Sequence, residues 1–284
     1  MNILVLGATG LIGSEVYRVL SKKNKVYGTY NNNKIKKIKY NKRKLFYFNA
    51  SYKKNLIKII DKIKPDLVIN CIGITKHIKN VNKNKIFKVN GIFPHQAKKI
   101  SNERNAKFIQ ISTDCVFDGK RGNYKETSKP NANDLYGKSK ASGEINDNFN
   151  LTLRTSTIGH EFHTKYGLLE WFLSQKIYCN GYSKAVFNGF PTFYFAKILQ
   201  KIILKKDLNG LMHVSGDKIN KYKLLKKINN VYKKNIIIRK DSTVKINRSL
   251  NNKLFKSYFP KDSKNWDSLI KDMKKEHGKS KFKF

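Results

Sequence analysis

Three glycines directly follow a short apolar segment at the start of the chain. Residues 3–6 have the composition of a buried strand, and Gly7, Gly10 and Gly13 open a stretch whose apolar residues have helical spacing. In such a strand–turn–helix unit, glycines permit a tight turn, a close approach of backbone N–H groups to a pyrophosphate, and close packing of helix on strand. The start of the helix also favours an anion. The turn therefore predicts a dinucleotide-binding site.

Strand-like and helix-like segments alternate through the first half of the chain. Further strand candidates lie at residues 25–30, 45–48, 67–70, 108–112 and 151–154, and helix candidates at 11–20 and near 52–63, 84–104 and 134–147. This alternation predicts an α/β fold, a doubly wound parallel sheet of the Rossmann type with helices on both faces.

The second half is less regular, with helix candidates at 167–173, 195–204 and 221–232 and a strand candidate at 211–214. We expect a dinucleotide-binding Rossmann domain over residues 1–154, to which residues 186–214 return. Residues 155–185 and 215–284 are expected to form a smaller substrate-binding region.

The chain is strongly basic, because its 284 residues include 60 Lys and Arg against 19 Asp and Glu, a net charge of +41. High basicity is one mark of nucleic-acid binding. Here, however, the positive residues are spread along the whole chain, and lysine greatly outnumbers arginine, the residue suited to bidentate contacts. Lys, Asn, Ile, Phe and Tyr have A/T-rich codons, so a biased genome explains much of this composition. We expect no nucleic-acid partner, although the charge would attract anionic ligands.

Other features of the composition limit the class of protein. Hydrophobic residues make up 39% of the chain, which is enough for a core and excludes wholesale disorder. The three cysteines lack C-x-x-C spacing and favour a reducing, cytoplasmic compartment over a disulfide framework or a zinc site. No run approaches the roughly 18 apolar residues of a membrane span, and no basic segment typical of a signal peptide precedes residue 3. We therefore expect neither export nor a membrane span.

The end of the second strand candidate helps to choose the nucleotide. An acidic residue there binds the ribose 2′-hydroxyl of NAD, whereas a basic residue accommodates the 2′-phosphate of NADP. Residues 29–34 contain no carboxylate, and Asn31 and Lys34 are the candidate contacts. NADPH is therefore favoured, with NADH left open because lysines are common throughout the chain.

Tyr136 and Lys140 stand four residues apart, on one face of a helix candidate. A neighbouring positive charge favours the phenolate and lowers the pKa of a tyrosine toward the range of efficient acid–base catalysis. Because the chain has 15 tyrosines and many lysines, chance alone gives roughly three such pairs. This pair differs from the others in following a strand that ends at Thr113, whose hydroxyl can face the ligand crevice.

In this context the chain resembles the extended short-chain dehydrogenase/reductases and, within them, the dTDP-4-dehydrorhamnose reductase (sugar-nucleotide reductase) family. The matching motifs span nearly the whole chain in the family's order: residues 7–13, 68–73, 89–90, 112–119, 136–140 with 143–144, 153–155, 213–216 and 248–250.

The resemblance implies reduction of the 4-keto group of a nucleotide-activated deoxysugar in surface-polysaccharide precursor synthesis, with a nucleotide-diphosphate sugar as substrate. It implies that Thr113 binds the substrate carbonyl, that Tyr136 donates the proton and that Lys140 holds the cofactor ribose and tunes the tyrosine. The expected cofactor-binding residues, with Asn31 and Lys34 from above, are Gly7, Thr9, Gly10, Leu11, Ile12, Gly13, Asn49, Asn70, Cys71, Ile72, Asn90, Tyr136 and Lys140. The expected substrate contacts are Thr113, Asp114, Arg154, Tyr182 and Arg248.

Two positions depart from the family pattern. Asn49 stands where an Asp near the adenine is common, and Cys115 stands where many reductases have Tyr and the 4,6-dehydratases have Glu. The absence of that Glu counts against a dehydratase, which needs an additional acid/base pair.

Several alternatives stay open. The alternative functions are a nucleotide-sugar epimerase and a non-catalytic, nucleotide-binding regulatory subunit. A homodimer is a further open alternative for the oligomeric state. His160, Glu161 and His163 lack the H-E-x-x-H spacing of a helical zinc site, so we expect no metal and interpret them as substrate-loop or surface contacts.

Overall fold

A central sheet of seven parallel strands organises the computed structural model, which describes residues 1–31, 44–75, 82–161 and 165–280. The spatial order is β10-β6-β5-β4-β1-β2-β3, which reverses direction between β1 and β4, and ligands bind at such a reversal in folds of this type. The strands are β1 (Asn2–Leu6), β2 (Lys25–Tyr30), β3 (Leu45–Tyr47), β4 (Leu67–Asn70), β5 (Lys107–Thr113), β6 (Leu151–Thr155) and β10 (Gly210–Val214).

Ten α-helices lie within the described residues, and a π-helical turn at Lys88–Ile92 joins two of them, α3 and α4. The helices are α1 (Leu11–Leu20), α2 (Lys53–Ile63), α3 (Lys83–Phe87), α4 (Phe93–Asn102), α5 (Leu135–Ser142), α6 (Leu168–Ser174), α7 (Thr192–Ile202), α8 (Lys221–Tyr232), α9 (Lys253–Tyr258) and α10 (Trp266–Ser280).

Both faces of the sheet are buried, as the alternation of side chains along β1 illustrates. Ile3 and Val5 belong to a hydrophobic cluster that includes residues of α1 and α7, whereas Leu4 and Leu6 belong to a second cluster with residues of α2 and α4. Since parallel sheets are stable when helices cover both faces, this arrangement explains why the strands read as continuous apolar runs.

The second half of the chain adds two small sheets. One has the order β11-β8-β12, formed by β8 (Tyr178–Phe187), β11 (Ile219–Asn220) and β12 (Ile237–Asn247). The other pairs β7 (Thr157–Ile158) with β9 (Phe190–Pro191). The sequence did not indicate β8 or β12, because their polar and apolar residues do not alternate regularly.

The predicted fold class is confirmed by this architecture. The helix candidate near 84–104 was wrong as one continuous helix, since the π-helical turn interrupts it, and the candidate near 134–147 ends at Ser142, before Gly143. The range 186–214, predicted to return to the Rossmann domain, contains α7 and β10. β10 pairs with β6 in the central sheet, and α7 packs on α1. The domain boundaries themselves stay a prediction. Across the described ranges, no helix is long and apolar enough to cross a bilayer.

Candidate active site

The turn after β1 has a geometry that requires its glycines. Gly7 has a φ of +76°, a conformation that glycine adopts without strain. Its N–H donates to Thr29 Oγ1 at 3.0 Å, so β2 helps to hold the turn. A Cβ at Gly13 would lie 2.1 Å from the Gly7 carbonyl oxygen, so α1 packs against the turn at a distance that only glycine allows.

An open cleft of about 640 Å³ begins at this turn and runs past the ends of β1, β2 and β4. The N-terminus of α1 has no side-chain cap, so its backbone N–H groups are available to a phosphate. The lining residues are Gly7, Thr9, Gly10, Leu11, Thr29, Tyr30, Asn31, Phe48, Asn49, Ala50, Ser51, Tyr52, Cys71, Ile72, Gly73, Ile74, Lys85, Val89 and Glu161.

Eight of the predicted cofactor residues meet in this cleft: Gly7, Thr9, Gly10, Leu11, Asn31, Asn49, Cys71 and Ile72. Ile12 packs against the core, and the buried Asn70 accepts the Ile72 N–H at 3.1 Å, behind the lining. Lys34 lies outside the described residues.

Asn90 fixes the wall of the cleft to the helix that carries the tyrosine. It lies in the π-helical turn, and its side-chain amide donates to the Ile74 carbonyl at 2.9 Å and accepts the Ile74 N–H at 2.8 Å. It also donates to Ser139 Oγ in α5 at 3.0 Å. A Cβ at Gly143 would lie 2.0 Å from the Asn90 carbonyl oxygen, so α5 and the turn approach closely. π-helical turns of this kind are frequent at functional sites.

Thr113 and Tyr136 meet beside this wall. Thr113 ends β5, where its Oγ1 donates to Asp114 at 3.1 Å and accepts the Cys115 N–H at 3.1 Å. The Tyr136 side chain, in the first turn of α5, hydrogen-bonds to Thr113. Burial raises the pKa of Tyr136 well above its ordinary value, and the nearby Cys115 and Asp114 raise the pKa further. The expectation that Lys140 lowers the pKa of Tyr136 toward the catalytic range was therefore wrong, because the effect of burial dominates. The phenol is therefore protonated at neutral pH and can serve as a proton donor.

Lys140 lies one turn beyond the tyrosine and is buried. Its ammonium group donates to the Ile111 carbonyl at 2.7 Å, and burial lowers its pKa from 10.5 to about 8, against the opposing effects of Glu144 and Cys71. Burial also raises the pKa of the Cys71 thiol to about 12. A Cβ at Gly73, in the cleft lining, would lie 3.9 Å from Lys140 Nζ. The ammonium group therefore borders the cleft.

Arg154, which the resemblance places at the substrate, is buried in an ion pair. Its Nε and Nη2 donate to the two carboxylate oxygens of Glu144 at 2.8 and 2.7 Å. Nη1 lies 3.3 Å from His213 Nε2, and the guanidinium lies 5.0 Å from the centroid of the Phe117 ring. Burial, and then the charge of Arg154, lower the pKa of His213 to about 3, so His213 is neutral.

The other predicted substrate contacts lie in the second half of the chain. Tyr182 is in β8, in register with Asp241 of β12. Arg248 follows β12, and its Nε donates to the Phe117 carbonyl at 2.7 Å. Neither is among the cleft-lining residues of the described ranges.

The histidine–glutamate segment contributes to packing and to the rim of the cleft. His160 Nδ1 lies 2.6 Å from Glu170 Oε1, and its Nε2 lies 2.8 Å from the Tyr232 hydroxyl. Glu161 lines the cleft and accepts the Gly167 N–H at 2.8 Å. His163 lies outside the described residues. No group of three or more His, Cys, Asp or Glu suited to a metal occurs in the described ranges.

Sequence reasoning missed several lining residues, among them Phe48, Tyr52 and Lys85, whereas it singled out Glu161 as a substrate-loop or surface contact. The position of Phe48 and Tyr52, directly after a strand next to β2, was a usable signal, since the carboxyl ends of parallel strands meet at one edge. Lys85 and Glu161 come from distant segments, and no local pattern indicates that they line the same cleft as the glycine turn.

The arrangement suits two tasks. The glycine turn and the uncapped start of α1 fit the diphosphate of a dinucleotide. Residues 29–31, where a 2′-phosphate would lie, carry no carboxylate, and Glu161 is the one carboxylate among the lining residues of the described cleft. Beside the cleft, a protonated phenol and a threonine hydroxyl lie together, with an ammonium group four residues along the helix from the phenol. Such groups can bind and protonate a carbonyl oxygen.

Comparison with known proteins gives one family match. Residues 1–159 match the sequence model described as the RmlD substrate binding domain. The chain is 32% identical over 148 residues to a probable low-salt glycan biosynthesis reductase, Agl14, of Haloferax volcanii, a segment that covers 51% of this chain and 48% of that protein. It is 30% identical over 146 residues to methionine adenosyltransferase 2 subunit beta of Danio rerio, with 50% and 42% covered. The chain thus spans about half the length of the curated relatives it matches.

The fold is shared with a solved enzyme structure over nearly the full length. A dTDP-4-dehydrorhamnose reductase of Bacillus anthracis, in complex with NADP, superposes with a TM-score of 0.80 at 19% identity. The superposition covers 97% of this chain and 99% of that chain. At this identity the likeness demonstrates a common fold.

Proposed function

Because the chain belongs to the RmlD substrate-binding-domain family, we propose that it reduces the 4-keto group of a nucleotide-activated 6-deoxy sugar with NADPH. The observation that carries this proposal is the meeting of Thr113 and Tyr136 next to a dinucleotide-shaped cleft, with Lys140 bordering the same cleft. The residues predicted from the sequence as catalytic are therefore the ones to which we assign the chemistry.

The cleft supports a phosphorylated dinucleotide as the cofactor. When bound, NADPH supplies a hydride for the carbonyl carbon. The turn at Gly7 and Gly10 and the start of α1 would hold its diphosphate, and residues 29–31, which carry no carboxylate, would accept a 2′-phosphate at the end of β2. The presence of NADP in the similar Bacillus anthracis enzyme agrees with this choice.

The catalytic groups divide the work at the sugar carbonyl. Thr113 would hydrogen-bond the carbonyl oxygen, and Tyr136 would donate its phenolic proton to that oxygen as it gains negative charge. The high pKa of Tyr136 keeps this proton in place before the reaction. Lys140, at the cleft wall, would bind the cofactor ribose and stabilise the phenolate that remains. Cys115 offers no carboxylate for the elimination that a dehydratase performs.

Residues 1–154, together with 186–214, form the proposed dinucleotide-binding domain. Residues 155–185 and 215–284 form the proposed substrate-binding region and would hold the nucleotide sugar. Tyr182 remains a proposed substrate contact in this region. No disulfide joins Cys71, Cys115 and Cys179, which fits a reducing compartment, so we assign the activity to polysaccharide precursor synthesis in the cytoplasm.

A cofactor-consumption assay tests the proposal. Purified protein is mixed with NADPH and a panel of nucleotide sugars, with and without a 4-keto group, and nicotinamide absorbance is followed. We expect stoichiometric NADPH oxidation with 4-keto substrates alone. Conversion of a sugar without net cofactor consumption would instead identify an epimerase and overturn the reductase assignment.

A second function is supported by the likeness to methionine adenosyltransferase 2 subunit beta. On this alternative the chain binds a dinucleotide and regulates a partner enzyme without catalysis of its own. The two proposals separate on the Tyr136→Phe variant, because a regulatory subunit keeps its effect on a methionine adenosyltransferase when the phenol is removed. A reductase loses turnover and keeps NADPH binding.

A further inference from the structure

A strap from the second half of the chain lies against the loop that follows Thr113. The strap consists of residues 247–251, directly after β12, and the loop consists of residues 117–124. Three backbone hydrogen bonds join them: from the N–H of Asn247 to Gly119 (2.7 Å), of Tyr124 to Ser249 (3.0 Å) and of Asn251 to Tyr124 (2.7 Å). The strap thereby fixes the position of any side chain it carries relative to this loop.

Arg248 extends from the strap and contacts both the segment after Thr113 and the segment before Tyr136. Its Nε donates to the Phe117 carbonyl at 2.7 Å, and its Nη1 lies 3.8 Å from Cys115 Sγ. Its Nη2 lies 3.7 Å from Asp134 Oδ2. The Arg248 side chain is only 16% exposed, whereas that of Asp134 is 45% exposed, so the contact with Asp134 lies at the surface end of the set.

Each end of this contact set is close in sequence to a catalytic residue. Cys115 is two residues beyond Thr113, in the short helical turn that the Thr113 side chain caps. Asp134 is two residues before Tyr136, and its Oδ1 accepts the Gly137 N–H at 2.8 Å as the N-cap of α5.

We propose that Arg248 is a positioning residue that clamps the loop after Thr113 to the start of the helix that carries Tyr136. The inference rests on the proposed function of that pair. The family resemblance implies a substrate contact for Arg248; in the proposed role Arg248 acts instead through Thr113 and Tyr136, without contact with the substrate carbonyl or the cofactor. It sets the separation and orientation of those two side chains.

Only arginine can make this clamp at both ends. Its planar fork presents several N–H donors in fixed directions, whereas the ammonium group of lysine is a single point on a flexible stem. The backbone of the loop also approaches the end of β12 and Arg248 closely. Gly119 has a φ of +83°, and a Cβ there would lie 2.5 Å from the Cγ1 of Ile246 and 3.0 Å from the Cγ of Arg248.

The steady-state test uses Arg248→Met, Arg248→Lys and, as a matched control in β12, the exposed Arg239→Met. For Arg248→Met we expect kcat to fall about tenfold or more, because small misplacements of catalytic groups are costly, while KM for NADPH changes less than twofold. Arg248→Lys should recover only part of the loss, and Arg239→Met should match the wild type. A lysine variant with full activity, or a loss confined to KM, would overturn the clamp.

The role of Asp134 gives a second arm. Asp134→Asn keeps the N-cap acceptor but removes the charge that faces Arg248. We expect a smaller loss of kcat, and a double variant with Arg248→Met that is no slower than Arg248→Met alone, because both changes break one contact. Fully additive losses would contradict a shared clamp.

A substrate-free arm separates failure of the clamp from failure of the proposed function. In ligand-free protein, hydrogen exchange of residues 115–119 and 134–138 should quicken about tenfold in Arg248→Met, and exchange in β1 should not change. If the wild type reduces no nucleotide sugar, this measurement still decides the clamp. Unchanged exchange in both segments would overturn it whatever the activity.

Discussion

The ammonium nitrogen of Lys140 lies 2.7 Å from the carbonyl oxygen of Ile111, to which it donates a hydrogen bond inside the protein. One backbone oxygen is a weak substitute for water around a cation, which explains why the pKa of Lys140 falls from 10.5 to about 8. The anionic groups of a bound dinucleotide would favour the charged form again. The charged form of Lys140 would therefore favour binding of a negatively charged ligand.

The lowered pKa of Lys140 predicts a specific dependence of stability on pH. Between pH 8 and 10.5, the Lys140 side chain is protonated in the unfolded chain and mostly deprotonated in the folded protein. The contribution of Lys140 to the free energy of unfolding therefore rises with pH across that window. Relative to Lys140→Met, the wild type should gain up to about 3 kcal/mol from pH 7 to pH 10.5. Urea denaturation of both proteins measures this difference.

Lys138→Met is the matched control, since Lys138 lies on the same helix and is exposed. Its difference from the wild type should stay constant with pH. A constant difference for Lys140→Met as well would show that the buried ammonium group does not titrate as described.

Two alanine substitutions in the glycine turn should fail in different ways. Gly13→Ala brings a Cβ to 2.1 Å from the Gly7 carbonyl oxygen, so we expect a loss of unfolding free energy of about 2–3 kcal/mol from overpacking. At Gly10 the Cβ would be 3.4 Å from the same oxygen, an ordinary contact, and would project where the cleft begins. Gly10→Ala should fold normally and bind NADPH at least about tenfold more weakly.

Thermal melts and fluorescence titration with NADPH separate the two effects. Wild-type affinity in Gly10→Ala would mean that the diphosphate does not approach this turn.

The ion pair between Arg154 and Glu144 predicts a structural role for Arg154. Both side chains are buried, at 3% and 8% exposure, so Arg154→Met leaves a buried carboxylate without its direct ion-pair partner. We expect a loss of about 3–5 kcal/mol of unfolding free energy. The double variant with Glu144→Gln should recover part of it, because the stranded charge is gone.

Chemical denaturation of the single and double variants measures this coupling. A stable Arg154→Met protein with a raised KM for the nucleotide sugar would instead identify Arg154 as a substrate ligand, the role that the family resemblance implies.

The parts of the fold that the sequence predicted share one physical property. β1, β2, β4 and the glycine turn are short, locally encoded elements, with apolar runs bounded by turn residues, and they lie where the pattern indicated. Thr113 and Tyr136 could be paired because each lies at an end of its element that faces the sheet's carboxyl edge. β12 could not be predicted, since most of its side chains are exposed and its polar residues do not alternate with apolar ones.

The contacts of individual arginines were beyond sequence reasoning for a related reason. An arginine inside the buried strand β6 was a signal that a partner exists, yet nothing in the pattern identified Glu144 at the end of α5. Arg248 lies 131 residues from the carbonyl that it contacts, a separation that no local pattern spans. Such long-range polar contacts come from the assembled fold, whereas the helices and strands come from periodicity.

The most direct test of the central claim follows the hydride. Protein is incubated with a 4-keto-6-deoxy nucleotide sugar and NADPH carrying deuterium at the transferable position of the nicotinamide, and the product sugar is examined by NMR. We predict deuterium at C4 of the sugar, one for each NADPH oxidised, and no product with Tyr136→Phe although NADPH still binds. Deuterium elsewhere on the sugar, or unimpaired turnover by Tyr136→Phe, would contradict the assignment of Thr113, Tyr136 and Lys140 as the site of a 4-keto reductase.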